Sequence, residues 1–270
     1  MSMSVFVEDL SERVYHAHES ISKSGLDRIE RSPAHFKLAT QREPTAAMLL
    51  GTAFHRAALE PDRFDAEYVV CDARDRRSKE YKELAAERGA ENVLMRKDYD
   101  RIIAMRNNAR SIAGYGHLLG DGGSSELSAF TQDPETGVEV RCRYDLLNHD
   151  KGRAVDLKSA RDPLPRGFSR SVATFRYHVQ VAFYSDIYEW ITGERLNEFW
   201  LLAVEGEPPY TPVAYLLDDE AIEAGRRDYR RNLNTYAECL ASGCWPHFEP
   251  EHPYLSLPEY MLGDIDELEV

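Results

Sequence analysis

Apolar and polar positions along the chain follow a helical period up to about residue 113 and an alternating one soon after it. The stretch KSGLDRIERSPAHFK (residues 23–37) predicts a short helix ended by Pro33, with Ser24 and Asp27 spaced as a capping box. TAAMLLGTAFHRAAL (45–59) repeats its apolar residues at helical spacing until Pro61 stops it. Helices are also expected over about 78–90 and 97–113. SELSAFTQDPETGVEVRCRYDLL then alternates on both sides of D-P-E-T-G, a hairpin signal. GRAVDLK reads as a further short strand, 171–192 as helix, NEFWLLAVEG and YTPVAYLL as strands, and 218–242 as a charged helix. This order predicts an α/β layered domain. No repeat or linker divides the chain, so residues 1–270 are expected to form one domain, with the acidic stretch GDIDELEV (263–270) as a flexible tail.

The strands raise a chemical question, because acids inside them need compensation. If residues 138–147 and 153–158 pair antiparallel, Asp145 and Asp156 converge near one end of the sheet. Alternation places Asp156 and Lys158 on one face and Leu157 on the other, toward the core. Two carboxylates with a backbone carbonyl form a hard, oxygen-rich site suited to Mg²⁺ or Mn²⁺. A lysine beside it can orient a water and stabilise charge developing on a phosphate. An acid followed some ten residues later by D-x-K also arises as a solvated strand edge with a surface ion pair, and those residues alone favour that plainer outcome.

Four more residues change the balance. His55 lies on the apolar helix four places after Gly51, Glu126 opens the first hairpin strand, and Gln180 and Tyr184 share one helical face at i and i+4. Singly they read as a packed histidine, an edge acid and an amphipathic core helix. The order His–Glu–Asp–Asp-x-Lys–Gln-x-x-x-Tyr is specific.

With YHAHESISKSGL, GTAFHRAALEP, DPETGVEVRCRYD, DLKS, RYHVQVAFYSD and the CWP near residue 245 in the same order, the chain resembles the PD-(D/E)xK nuclease superfamily. It does so in the RecB-like branch, most closely the exodeoxyribonuclease VIII (RecE) nuclease domains. The resemblance implies a restriction-endonuclease-like mixed central sheet flanked by helices. It further implies Mg²⁺-dependent 5′→3′ degradation of one strand of linear double-stranded DNA by a ring-shaped homo-oligomer, with a RecT-like single-strand annealing protein as partner. Mn²⁺ is expected to substitute for Mg²⁺. Asp145, Asp156 and the Leu157 carbonyl are implied as metal ligands, with His55 and Glu126 as further metal-site residues. Lys158 is implied to hold the attacking water, with Gln180 and Tyr184 supporting the site. Two neighbouring aspartates favour Lys158 as a cation rather than a general base. The family's proline before the first aspartate is Tyr144 here, a change that bears on strand entry more than on chemistry.

Composition narrows this further. A net charge of −14 argues against a protein that coats nucleic acid with its whole surface, and any DNA contact must be local. Arg76 and Arg77 in DARDRRSKEYKE, and Arg161 and Arg166 in ARDPLPRGFSR, are the basic candidates. Ser22 and Ser24 at a helix start resemble a 5′-phosphate site, although Ser24 also reads as a simple N-cap. The four scattered cysteines, the lack of a basic-then-apolar leader and the absence of a long apolar run suggest a reduced cytoplasmic protein with no membrane contact. Three alternatives stay open: a Cas4-type nuclease with an iron–sulfur cluster, a catalytically silent DNA-binding or annealing-partner module on the same fold, and a metal-dependent hydrolase of another substrate.

Overall fold

A computed structural model describes residues 4–40, 44–249 and 254–257. The chain forms β1 (Val5–Val7), α1 (Glu12–Ala17), α2 (Lys23–Arg31), α3 (Pro33–Lys37), α4 (Ala46–Leu59) and α5 (Pro61–Glu67). There follow β2 (Val69–Cys71), α6 (Lys79–Arg88), β3 (Val93–Met95), α7 (Arg96–Arg110), β4 (Ser124–Gln132), β5 (Glu139–Asn148) and β6 (Arg153–Ala160). The last elements are α8 (Pro165–Thr174), α9 (Tyr177–Thr192), β7 (Glu198–Glu205), β8 (Pro212–Leu216) and α10 (Asp219–Ser242).

Six strands form one mixed sheet in the order β1-β4-β5-β6-β7-β8, in which only β6 and β7 run parallel. β2 and β3 pair parallel as a separate two-stranded sheet. Helices cover both faces. On one, α2, α8, α9 and α10 close a core that includes Leu26, Phe168, Phe183 and Tyr229. On the other, Ala53 and Phe54 of α4, Phe64 of α5 and Ile102 and Met105 of α7 pack against Val155, Leu157 and Leu202. The expected restriction-endonuclease-like α/β architecture is therefore the one observed.

Several local expectations shift by one cap. The helix over 23–37 is two helices, because Ser32 accepts from the His35 N–H and starts α3 with Pro33 at its first position. Ser22, not Ser24, caps α2 by accepting from the Gly25 N–H, and Asp27 pairs with Lys23 at 2.7 Å instead of closing a capping box. Pro61 ends α4 but begins α5, a proline at N1 costing no hydrogen bond. The helix over 171–192 begins earlier, at Pro165, and breaks at Arg176, whose φ is 55°. The acidic stretch 263–270 lies outside the described residues.

Candidate active site

The site forms where the central sheet splits. β5 and β6 pair through Asn148–Arg153, Leu147–Ala154 and Leu146–Val155, and the ladder ends there. Asp145 and Asp156 are next in register. The Leu157 N–H donates to the Asp145 carboxylate at 2.7 Å, so a side chain replaces the missing backbone partner. The distortion extends to the neighbouring strand. Glu126, which falls between the Ser125–Leu146 and Leu127–Tyr144 pairs, has a φ of 49°, a left-handed conformation unfavourable to any residue with a Cβ. Tyr144 and Leu146 should share a face but join opposite cores, with Asp145 at the switch. This break turns the acids at positions 126 and 145 toward each other.

α4 brings His55 to the same place. Its Ala53, Phe54, Ala57 and Ala58 are buried, and the half-buried His55 sits beside that face. His55 Nδ1 lies 3.3 Å from Asp145 Oδ2, and ligand atoms of His55, Glu126 and Asp145 all fall within 4.8 Å of one another.

Asp156 faces a second group. Its Oδ1 accepts from Gln180 Nε2 at 2.5 Å, its Oδ2 is 2.5 Å from Lys158 Nζ, and Lys158 donates to Gln180 Oε1 at 3.0 Å. Gln180 thus bridges the acid and the lysine from α9. As expected, Asp156 and Lys158 share the α9 face while Leu157 is buried in the α4 core. Tyr184 lies one turn beyond Gln180 and lines the same cleft as Glu126 and Asp145. Tyr144 enters β5 in regular register and donates its hydroxyl to the Tyr184 carbonyl at 2.7 Å, so the tyrosine in place of proline ties strand to helix.

Electrostatics divide these groups. Burial pushes Glu126 up to about 7, helped by Asp145 and opposed by His55 and Arg143. Burial raises Asp156 as well, against Lys158, while Asp145 adds to the rise. Burial would also raise Asp145, but His55, Lys158 and the Leu157 N–H hold it below the usual carboxylate range. Burial disfavours charge on Lys158 and His55, yet the neighbouring aspartates outweigh it and raise both. This direction favours Lys158 in its cationic form.

A divalent ion fits this donor set. Glu126 and Asp145 supply hard oxygens, His55 an imidazole that Mn²⁺ tolerates well, and Asp156 Oδ2 is a buried oxygen without a hydrogen-bond donor in line, although Lys158 is close. His55, Glu126 and Asp145 would hold the ion, and Asp156 stands next to them.

The cleft in front of these residues measures about 1310 Å³. Ser22 and Ser24 line it, their hydroxyls 3.0 Å apart. Arg28 and Arg31 of α2 also line it, at i+4 and i+7 from Ser24, and neither has an acid within ion-pair distance among the described residues. On its floor Arg143 donates to Ser128 Oγ and the Leu10 carbonyl and lies 4.3 Å from the Tyr15 ring centre. These three arginines escaped the sequence reading. Arg28 and Arg31 read as the polar side of an ordinary helix, and Arg143 is marked only by its alternation with Asp145 in VRCRYD. The basic residues singled out from sequence lie elsewhere. Arg76 and Arg161 line a different cleft across α4, where Arg76 is 3.3 Å from Asp98. Arg77 is exposed beside Asp75, and Arg166 is exposed on α8.

A mixed sheet that splits at two acids, with a lysine two residues after the second and helices on both faces, defines the PD-(D/E)xK nuclease superfamily. Within it, the chain belongs to the family described as PDDEXK-like domain of unknown function (DUF3799), whose model matches residues 22–251. A crystal structure of an Eubacterium rectale protein, provisionally described as an exonuclease, is similar to this chain with a TM-score of 0.62 at 14% identity, over 93% of this chain and 92% of that one. That likeness shows a shared fold. The structure of SSO0001 is 16% identical over 76% of this chain and 84% of its own, but its TM-score of 0.27 carries no argument. No curated protein matches the chain. Among the described residues no helix is long and apolar enough to cross a membrane.

Proposed function

We propose that this protein is a divalent-metal-dependent exodeoxyribonuclease that degrades one strand of linear double-stranded DNA in the 5′→3′ direction, leaving 3′ single-stranded tails for recombination. The observation that carries the reading is the meeting of His55, Glu126 and Asp145 at the split in the sheet, beside the Asp156–Gln180–Lys158 group. A divalent ion bound there supplies Lewis acidity at the scissile phosphate and acidifies the attacking water. Lys158, fixed by Gln180 and Asp156, holds positive charge where negative charge develops on the phosphate. Arg28 and Arg31, without acid partners among the described residues, line the same cleft from α2 and suit phosphates of a bound strand, while Ser22 and Ser24 suit a terminal phosphate. Mg²⁺ is the ion favoured by the carboxylates, and Mn²⁺ should substitute through His55. Polarity, assembly into a ring and partnership with a RecT-like annealing protein are supported by the resemblance to exodeoxyribonuclease VIII.

The test is linear duplex DNA labelled at one 5′ end, incubated with Mg²⁺ and either the wild type or Asp156→Ala. Early release of labelled mononucleotide, absent in the variant and on closed circular DNA, is the expected result. Absence of cleavage by folded wild type with either metal would overturn it in favour of a silent binding module.

A further inference from the structure

The junction between α8 and α9 carries an aromatic row that the metal residues do not use. Tyr215 stacks on Phe168 with ring centres 5.1 Å apart, Phe168 meets Tyr177 at 6.1 Å, and Tyr177 stacks on Phe175 at 5.6 Å. The Lys158 ammonium sits 4.4 Å from the centre of the Tyr177 ring, so the row passes directly beside the catalytic lysine. Phe168 is buried, whereas Phe175, the last ring, is 57% exposed.

The backbone under Phe175 is held firmly. Its N–H donates to the Ser171 carbonyl at 2.9 Å, and its own carbonyl accepts from Lys23 Nζ at 2.7 Å. The next residue, Arg176, is left-handed and faces Asp27, Glu30 and Asp228 at 3.2, 3.1 and 3.3 Å. A left-handed non-glycine residue is strained and persists only where its surroundings fix it. Here the fixed junction presents a phenyl ring to water, which contributes little to folding.

Charge indicates what covers the ring. Lys23 holds the Phe175 carbonyl and Lys158 lies over the neighbouring Tyr177 ring, each beside its own aspartate, whereas Arg166 and Arg170 stand exposed on the helix leading to Phe175, with no acid within ion-pair distance of either among the described residues. A planar face at the end of a helix that carries two arginines without acid partners among the described residues matches a nucleobase and its phosphates. An apolar side chain of a protein partner would leave the cations unmatched.

We infer that Phe175 is a stacking platform for an unpaired nucleobase of the strand held beside Lys158, with Arg166 and Arg170 taking its phosphates. This rests on the reading of the site as one that acts on nucleic acid, but binding at the platform is measurable apart from cleavage. The experiment titrates full-length protein, in chelator so that nothing is cut, into a single-stranded oligonucleotide carrying 2-aminopurine. Stacking should quench the fluorescence on binding. Phe175→Ala should weaken binding about tenfold and abolish the quench. Phe175→Trp should restore both, and Phe175→Leu, which keeps apolar area without a π face, should not. Arg166→Ala with Arg170→Ala should flatten the dependence of log Kd on log salt by about 1.4. Equal binding and quench in wild type and Phe175→Ala, full rescue by leucine, or no binding of single-stranded DNA by the wild type would each overturn the inference. Cleavage without quench would leave the nuclease reading standing and remove the platform. Quench without metal-dependent cleavage would do the reverse.

Discussion

Glu126 is one of the three residues that could hold a metal ion, and its protonation bears directly on whether it can. In the metal-free protein burial and Asp145 push it up to about 7, so below that pH it carries a proton that a cation must displace. His55, raised by the aspartates against the effect of burial, must also lose a proton to ligate. Metal affinity should therefore fall as pH drops through about 7 and flatten only at a pH high enough for both Glu126 and His55 to be deprotonated. Calorimetric titration of Mn²⁺ in buffers of differing ionisation enthalpy should show proton release that shrinks as pH rises, and Glu126→Gln should remove part of it. Gln180 makes a different contribution, since it orients Asp156 and Lys158 and is not placed to ligate a metal. Gln180→Leu should lower kcat at saturating metal about 10- to 100-fold, the usual effect of losing an orienting hydrogen bond next to a metal ligand, while the melting temperature stays near that of the wild type. Both residues were legible from the order of motif positions. What each would touch was not, because Asp145 and Asp156, adjacent in register, turn to separate partners.

At the scale of elements, α9 carries Gln180 and Tyr184 and is located by its packing on α10. Gly225 of α10 lies against the backbone of α9, where an added Cβ would fall 2.2 Å from the His178 carbonyl oxygen. Backbone cannot yield as a flexible side chain can. Gly225→Ala should therefore destabilise the fold by about 1–3 kcal/mol, readable as a lower urea midpoint. Because His178 is two residues before Gln180, activity per folded molecule should fall too. α2 offers the contrasting case of an element positioned for its outward face. Arg28→Ala and Arg31→Ala should each weaken duplex binding, and each should reduce the slope of log K against log salt by about 0.9. Equivalent changes at Arg76 and Arg77, across α4 or already beside acids, should alter that slope less.

For the whole molecule, a charge of −14 leaves the cleft as a local exception to an acidic surface. Duplex binding should be steep in salt and confined to that face. A metal ion held by these half-buried acids would tie stability to metal: with Mg²⁺ at about one hundred times its Kd, binding to the folded state alone should add about 2.7 kcal/mol, seen as a chelator-sensitive rise in melting temperature. Asp145→Asn with Glu126→Gln should melt at the same temperature with and without Mg²⁺.

The chain's own pattern determined the hairpin of β4 and β5, the short strand of β6, the charged helix α10, and the identity of the acids, lysine, histidine and glutamine that compose the site. Those follow from periodicity and residue order, which are local or one-dimensional. The break at Arg176, the cap at Ser22 and the left-handed Glu126 depended on partners distant in sequence, namely Asp228, the Ile21–Val140 bridge and the β5 strand. The tertiary structure alone decided that α2, rather than the arginine-rich segments near residues 76 and 161, lines the cleft of Glu126 and Asp145. A helix chooses its neighbour by burying its apolar stripe, Leu26 and Ile29 here, and the direction in which its arginines then point is a consequence of packing that no linear pattern records.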